Sequence, residues 1–322
     1  MPYSHHSHSG QFCKHAAGTL EDVVREAIQQ GFEVYGLTEH VPRYRLTDLY
    51  PEEDGMTLAA LATQFDAFLA EAHRLKEQYA NDITLLVGLE TEFITGEDLA
   101  HLETLLSKQR GRIEYLVGSV HHVHTIPIDF DTAMFGKALD SFGPSHPSGE
   151  EDHQRMEALL CAYFDAQYEV LRRFQPEIIG HVDLCRLYNP TLRFGDYPSA
   201  WEKVERNVAY AISYGALFEL NAAALRKGWA ASYPGEDVAE LIMKHGGRFA
   251  LSDDSHGPHA VGLNYDRMAQ YVQRLGVEEL WVLERCERAN VGGRFVQSRK
   301  VDGKWWQHPF WKTRGLEPTS AA

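Results

Sequence analysis

The stretch ITLLVGLE, residues 83–90, decides the fold. It is an unbroken apolar run that ends on a carboxylate. A strand with one wet face alternates apolar with polar residues, so a continuous run predicts a strand buried on both faces. The same form recurs in EVYGLTEH (33–40), IEYLVGSVH (113–121), EIIGHVD (177–183), ALFELN (216–221) and RFALSDD (248–254). Amphipathic stretches separate these runs, at about 58–79, 97–109, 151–174, 199–214 and 236–245. Thr19-Leu-Glu-Asp22 reads as a capping box opening a further helix, which Gly31 ends. With the N-terminal residues as a first strand, seven strand-then-helix units result.

That alternation predicts a parallel sheet with helices packed over it. No Gly-rich dinucleotide or phosphate loop follows any of the strands, so a closed barrel is expected in place of a nucleotide-binding doubly wound sheet. A chain of 322 residues suits a barrel, and no linker, repeat or low-complexity segment divides it. One domain over residues 1–322 is therefore expected. After about residue 276 the pattern weakens. ELWVLER (279–285) reads as an optional extra strand, and the Gly-, Arg-, Lys- and Trp-rich tail (292–313) has no period, which predicts an irregular C-terminal extension.

The formal net charge is −15 and basic residues form no long run, which argues against a nucleic-acid partner. No apolar stretch is long enough to span a bilayer, and the start lacks the layout of a signal peptide. The cysteines (Cys13, Cys161, Cys185, Cys286) are scattered without CxxC spacing. A reducing compartment, the cytoplasm, is expected.

The compositional anomaly is histidine, with 17 residues. The chain opens MPYSHHSHSGQFCKH, which reads either as a tag remnant or as part of a site. The strand ends favour a site. They carry His6-Ser-His8, Thr38-Glu39-His40, Gly88-Leu89-Glu90, Ser119-Val120-His121, Gly180-His181-Val182-Asp183 and Ser252-Asp253-Asp254-Ser255-His256. A metal-binding residue type thus closes six of the seven strands, on the rim where parallel barrels carry their chemistry. Each alone has a bland reading: a structural histidine, a paired carboxylate at Glu90, a helix cap at Asp254. Imidazoles and carboxylates gathered on one rim are best satisfied by cations. His-x-His puts both rings on one side of an extended chain, and Asp254-Ser-His256 repeats that spacing. Mixed nitrogen and oxygen donors suit Zn, Fe or Mn equally.

The set His-x-His, Cys-x-His, Glu-His, Gly-Leu-Glu, Ser-Val-His, Gly-His-x-Asp and Asp-x-His resembles the polymerase and histidinol phosphatase (PHP) superfamily, from about residue 3 to 260. FCKHA around His15, HHVHTIPIDFD (121–131) and ELNAAALRK (219–227) are similar to segments of its histidinol-phosphate phosphatases. The resemblance implies a distorted seven-stranded (β/α)7 TIM-like barrel holding three divalent metal ions. One ion would take His6, His8, Glu90 and Asp254. A second would share Glu90 and add His121 and His181. A third would take His15, His40 and His256. The implied reaction is hydrolysis of L-histidinol phosphate to L-histidinol and phosphate in L-histidine biosynthesis, by attack of a metal-activated hydroxide, with Glu90 and Asp254 at its centre. His5 fits no position of the pattern and is expected to be solvated. Two alternatives stand beside this: another PHP phosphoesterase acting on a nucleotide or other small phosphate monoester, and a metal-binding module without turnover.

Several further residues are candidates. Arg186 and Arg226 follow strand ends and would fork onto phosphate oxygens, although a surface salt bridge explains either position equally well. Glu92, Asp129 and Asp131 are candidates to meet the substrate's amine or imidazole. His122 and His124 are candidates to protonate the leaving alkoxide. Asp183 and Asp253 are candidates to orient a ligand ring. The loops at 41–57 and 122–150 are long enough to act as lids. The expected partner is a small phosphate monoester, with neither nucleic acid nor membrane.

Overall fold

The computed structural model describes residues 2–144 and 149–315. Seven parallel strands lie side by side in chain order: β1 (Tyr3–Ser4), β2 (Val34–Leu37), β3 (Thr84–Glu90), β4 (Tyr115–Gly118), β5 (Ile178–Ile179), β6 (Leu217–Asn221) and β7 (Arg248–Ser252). The first and last strands meet through their continuations. Ser7–His8 pairs in parallel with Ser255–His256, which closes the sheet into a barrel. The strands are shorter than their apolar runs: only Ile178–Ile179 of EIIGHVD joins the ladder, and His121 lies beyond the end of β4. Residues just past each ladder are therefore free to turn their side chains toward the barrel mouth.

Helices connect the strands, at 20–29, 58–78, 96–108, 149–174, 198–214 and 236–244 where the sequence pattern predicts them, and also at 132–140, 223–226 and 265–274 where it does not. They are α1 (Leu20–Gln29), α2 (Leu58–Gln78), α3 (Gly96–Lys108), α4 (Thr132–Asp140), α5 (Gly149–Phe174), α6 (Pro198–Tyr214), the short α7 (Ala223–Arg226), α8 (Glu236–Lys244) and α9 (Tyr265–Arg274). The capping box forms, with Asp22 N donating to Thr19 Oγ1 at 3.1 Å and Thr19 N to Asp22 Oδ2 at 2.9 Å. On α1 the buried residues are Leu20, Val23, Val24 and Ala27, a single stripe that joins the hydrophobic core. Inside the barrel the ring of Tyr115 occupies space left by two glycines. A Cβ on Gly36 would lie 2.0 Å from its hydroxyl oxygen, and one on Gly88 2.7 Å from its ring. Both positions need glycine for that close approach.

In the tail, ELWVLER supplies the extra strand the sequence allowed, and the departure from expectation is the second strand at Val296–Lys300. Residues beyond α9 form an antiparallel hairpin, β8 (Trp281–Arg285) with β9 (Val296–Lys300), docked beside β7 through a bridge between Leu280 and Phe249. Arg294 is buried and clasps Glu177 through its Nε, at 2.7 and 2.8 Å, so the hairpin loop is tied to the start of β5. His5 is wholly buried and not solvated. Its Nε2 accepts from Leu283 N at 3.0 Å, and its ring stands edge-on to Tyr3. Burial pushes its pKa down to about 4, so it serves as a neutral acceptor that pins the hairpin to the barrel.

The two long loops are also built structures. Residues 41–57 carry 3-10 turns at Leu46–Asp48 and Pro51–Glu53. Residues 122–144 of the second contain a small hairpin, His122–Val123 with Ile126–Pro127, and then α4. Among the described residues no helix is long and apolar enough to cross a membrane.

Candidate metal centre

Glu90, the last residue of β3, lies at the centre of the barrel mouth. Its Oε2 is 3.3 Å from His6 Nε2, 3.4 Å from His8 Nε2 and 2.9 Å from His40 Nδ1. Its Oε1 is 3.1 Å from His121 Nε2 and 2.9 Å from His181 Nε2. Asp254 joins from beyond β7, its Oδ1 3.8 Å from His6 Nε2 and 3.7 Å from His8 Nε2. Asp254 has φ of +47°, a left-handed turn that L-residues adopt rarely, and this turn separates it from β7. His256 and His15 complete the group. The His256 ring centroid is 4.6 Å from that of His8 and 5.1 Å from that of His15. All nine residues that the resemblance implies as ligands thus come together in one place, with His15 the most exposed of them.

The rings are oriented from behind. His6 Nδ1 meets Glu219 Oε1 at 2.9 Å, His8 Nδ1 meets Glu39 Oε2 at 3.3 Å, and His121 Nδ1 meets Glu92 Oε2 at 2.9 Å. His15 Nδ1 meets Glu52 Oε1 at 3.1 Å, and His256 Nδ1 meets the Asp254 carbonyl at 3.0 Å. A carboxylate or carbonyl can only accept, so each of these Nδ1 atoms carries the proton. In the neutral imidazole the Nε2 lone pair then points inward. The sequence pattern assigns no such role to Glu39, Glu52 or Glu219. Two of them do occupy telling positions: Glu39 stands one residue before the candidate ligand His40, and Glu219 lies within the strand β6.

This arrangement fits cations. His6 Nε2 and His8 Nε2 lie 3.1 Å apart, both aimed at the same carboxylates. His40 Nε2, His181 Nδ1 and Asp254 Oδ1 are buried without a hydrogen-bond partner. Burial opposes charge on His6, yet Glu90, Asp254 and Glu219 hold its pKa well above the ordinary value. His8, likewise buried, is raised to about 9 by Glu39 and Glu90. Burial, and then the charge of His8, pushes His40 and His256 well down. Burial raises Glu90, but His6, His121 and His40 outweigh it and keep the group ionised. Such a cluster demands positive charge between its members.

Several sets of donors have all their atoms within 4.8 Å of one another, including His6–His8–Glu90, His6–His181–Asp254, His8–His40–His256 and Cys13–His15–His40. Cys13 is not one of the nine ligands that the resemblance implies; its Sγ is 3.2 Å from His15 Nε2.

The cluster floors a cavity of about 470 Å³. Arg226, Lys227, Asp129, Tyr50, Phe130 and Glu52 contribute to its walls. Arg226 reaches over the rim, its Nη1 donating to the Asp254 carbonyl at 3.3 Å.

Other candidates lie elsewhere. Arg186 does not reach the cavity. Its guanidinium donates to Asp183 Oδ2 at 2.6 and 2.9 Å, to Asp237 Oδ1 at 2.8 Å and to the Leu192 carbonyl at 3.0 Å, which leaves nothing for phosphate. Asp183 is the partner in that pair, accepts also from Gly235 N, and among the described residues makes no hydrogen bond to a candidate ligand's ring. Asp253 is engaged by Ser4 Oγ, Tyr35 Oη and Gly262 N, and so holds the barrel seam. Glu92 is buried behind His121 and also faces His122 Nδ1 at 3.0 Å, so it is a ring orienter that substrate cannot meet. Asp131 caps α4 through Met134 N. His124 is exposed and bonded to Ser141 Oγ at 2.9 Å. Of the substrate-facing candidates, only Arg226 and Asp129 line the cavity.

Comparison with known proteins gives a consistent picture. Residues 4–223 match the PHP domain family. A Schizosaccharomyces pombe protein named "Probable histidinol-phosphatase" is 44% identical over 322 residues, covering 99% of this chain and 100% of that protein. The histidinol-phosphatase of Saccharomyces cerevisiae is 32% identical, over 96% of this chain and 99% of its own. A solved Lactococcus lactis histidinol phosphate phosphatase, complexed with zinc, L-histidinol and phosphate, superposes with a TM-score of 0.60 at 16% identity, covering 92% of this chain and 98% of its own. A Listeria monocytogenes structure, described provisionally as a histidinol phosphatase, superposes with a TM-score of 0.66 at 21% identity, over 82% of this chain and 98% of its own. At those identities the two structures speak to the fold, which is the same.

Proposed function

The chain belongs to the PHP domain family, and from that premise we propose that it is a metal-dependent phosphatase hydrolysing L-histidinol phosphate to L-histidinol and phosphate, a step of L-histidine biosynthesis. One observation carries the reading. A single carboxylate, Glu90, is ringed by five imidazole nitrogens within 3.4 Å at the floor of an open cavity, in a chain whose full length aligns with histidinol-phosphatases.

In this proposal three divalent ions occupy the centre: one on His6, His8, Glu90 and Asp254, one on Glu90, His121 and His181, and one on His15, His40 and His256. When bound they neutralise the phosphate dianion, acidify water to give hydroxide near neutral pH, and stabilise the charge that develops on the phosphoryl oxygens. Glu90 offers Oε2 to the His6, His8 and His40 side of the cluster and Oε1 to the His121 and His181 side, so one carboxylate would serve two ions. Glu219, Glu39, Glu92 and Glu52 hold the rings of His6, His8, His121 and His15 in the tautomer that presents Nε2 inward. Arg226 adds a positive charge above Asp254, from which its N–H groups can donate to phosphoryl oxygens. The zinc, histidinol and phosphate of the Lactococcus lactis structure support a divalent metal and this substrate. The ligands run from His6 to His256 and the tail is pinned to the barrel by His5 and Glu177, which supports reading the chain as one domain.

The test is phosphate release from L-histidinol phosphate, compared with p-nitrophenyl phosphate and mononucleotides, before and after chelation. Preference for histidinol phosphate that vanishes on chelation and returns with Zn, Fe or Mn is the expected result. Turnover of nucleotides with none of histidinol phosphate overturns the substrate, and chelator-insensitive turnover overturns the metals.

A further inference from the structure

The cavity above the ligands contains four carboxylates: Glu52, Glu90, Asp129 and Asp254. Three are committed to imidazoles, Glu52 to His15, Glu90 to the central rings, and Asp254 to His6 and His8. Asp129 differs. Its carboxylate makes no hydrogen bond or ion pair among the described residues, although it is half-buried in the wall. Its backbone is nonetheless fixed, because the Tyr188 hydroxyl donates to the Asp129 carbonyl at 3.1 Å. A held, partly desolvated and unpaired anion is a ready receiver for a cation.

Beside it stand two aromatic rings. Tyr50 and Phe130 lie with centroids 6.1 Å apart and planes within 17°, and both line the cavity. Tyr50 is braced: the Arg43 guanidinium sits 4.6 Å from its ring centroid, and its backbone N–H donates to Glu53 Oε2 at 2.9 Å. Phe130 remains 39% exposed, an unusual state for a phenylalanine at the mouth of a cavity. A flat ring laid against this wall would cover it.

We propose that Asp129 receives the ammonium group of a phosphate monoester bearing an amine beside the ester carbon, and that Tyr50 and Phe130 form the wall against which its imidazole packs. The proposal rests on histidinol phosphate being the substrate and adds how it is told from other monoesters. The division of charge in the cavity agrees. Arg226 and Lys227 supply the positive part for phosphate, and Asp129 supplies a separate negative point for the amine. Specificity then arises because a phosphate lacking the amine leaves Asp129 desolvated and unpaired, a penalty that apolar contact cannot repay.

The experiment compares ratios of kcat/KM on the same protein preparation, so that any partial misfolding cancels. The substrates are histidinol phosphate, its analogue without the amine (3-(imidazol-4-yl)propyl phosphate), and its analogue without the ring (2-aminopropyl phosphate). For Asp129→Asn the preference for histidinol phosphate over the amine-free analogue is expected to fall by about tenfold or more, the worth of one charge-assisted contact. For Phe130→Ala the preference over the ring-free analogue is expected to fall by about threefold or more. Either ratio unchanged from wild type overturns that half of the assignment while leaving the phosphatase reading intact. A wild-type protein that does not cut histidinol phosphate overturns the phosphatase reading, and this one with it.

Discussion

His6 Nε2 and His8 Nε2 face each other at 3.1 Å, while their Nδ1 atoms turn away to Glu219 and Glu39 respectively. Two neutral imidazoles set this way repel through their lone pairs. The close approach is stable only with positive charge between the rings or on them. The chain keeps that arrangement through carboxylates behind the rings, and the behaviour of variants depends on it.

Removing the shared carboxylate should have the largest effect. Glu90→Ala is expected to lose bound metal and phosphatase activity together, activity by more than about a hundredfold. Inductively coupled plasma analysis of the purified variant, set beside its turnover, checks this. Full metal content with lost activity would mean that Glu90 is not a ligand.

Glu219 acts at one remove. Glu219→Gln keeps an acceptor for the His181 backbone N–H, which the native side chain holds at 2.8 Å, but weakens the charge behind His6. Metal affinity should fall by about 10- to 100-fold, as for other partners of ligating histidines. Competition with a fluorescent zinc chelator measures it.

Arg226→Ala should separate metal binding from substrate use. The ions stay, and kcat/KM falls by about 1.5–3 kcal/mol, or about ten- to a hundredfold, if the guanidinium binds phosphoryl oxygens. Steady-state kinetics at full metal loading decide it; kinetics like those of wild type would return Arg226 to the surface salt-bridge reading.

Arg186 gives the opposite expectation. Its pair with Asp183 is buried and Asp237 flanks it half-buried, and Arg186→Met leaves the Asp183 carboxylate without its cation. Stability should drop by about 3–5 kcal/mol, seen as a lower Tm, while the metal content of the folded protein stays that of wild type. A Tm within about 1 °C of wild type would contradict the structural role.

The parts legible in the sequence share a cause. Strands buried on both faces leave unbroken apolar runs, and the candidate ligands on the barrel rim fall at the ends of those runs, so β3 and Glu90 are read together. The features that escape such a reading depend on contacts across the chain. Glu219 becomes an orienter only because β6 brings it behind His6. Arg186 is drawn away from the cavity by Asp237, on the distant α8. His5 could have been separated from His6 by the two-residue period of an extended chain, which sets it with Tyr3 and against the hairpin. The hairpin itself has little continuous apolar character, since β9 buries Val296 and leaves Gln297 to Lys300 partly wet. A two-stranded ribbon with one covered face gives a faint signature.

The seam of the barrel has a further consequence. Ser7–His8 and Ser255–His256 form the ladder that joins the first stave to the last, and His8 stands directly opposite His256 in it. The chain therefore cannot zip itself shut without bringing two would-be ligands into register. Closure of the sheet and juxtaposition of these two imidazoles share one ladder, and a cation held from both sides would act as a rivet across the join. Metal supply during synthesis would then govern how much of this protein reaches its native shape, as well as how much of it turns over substrate.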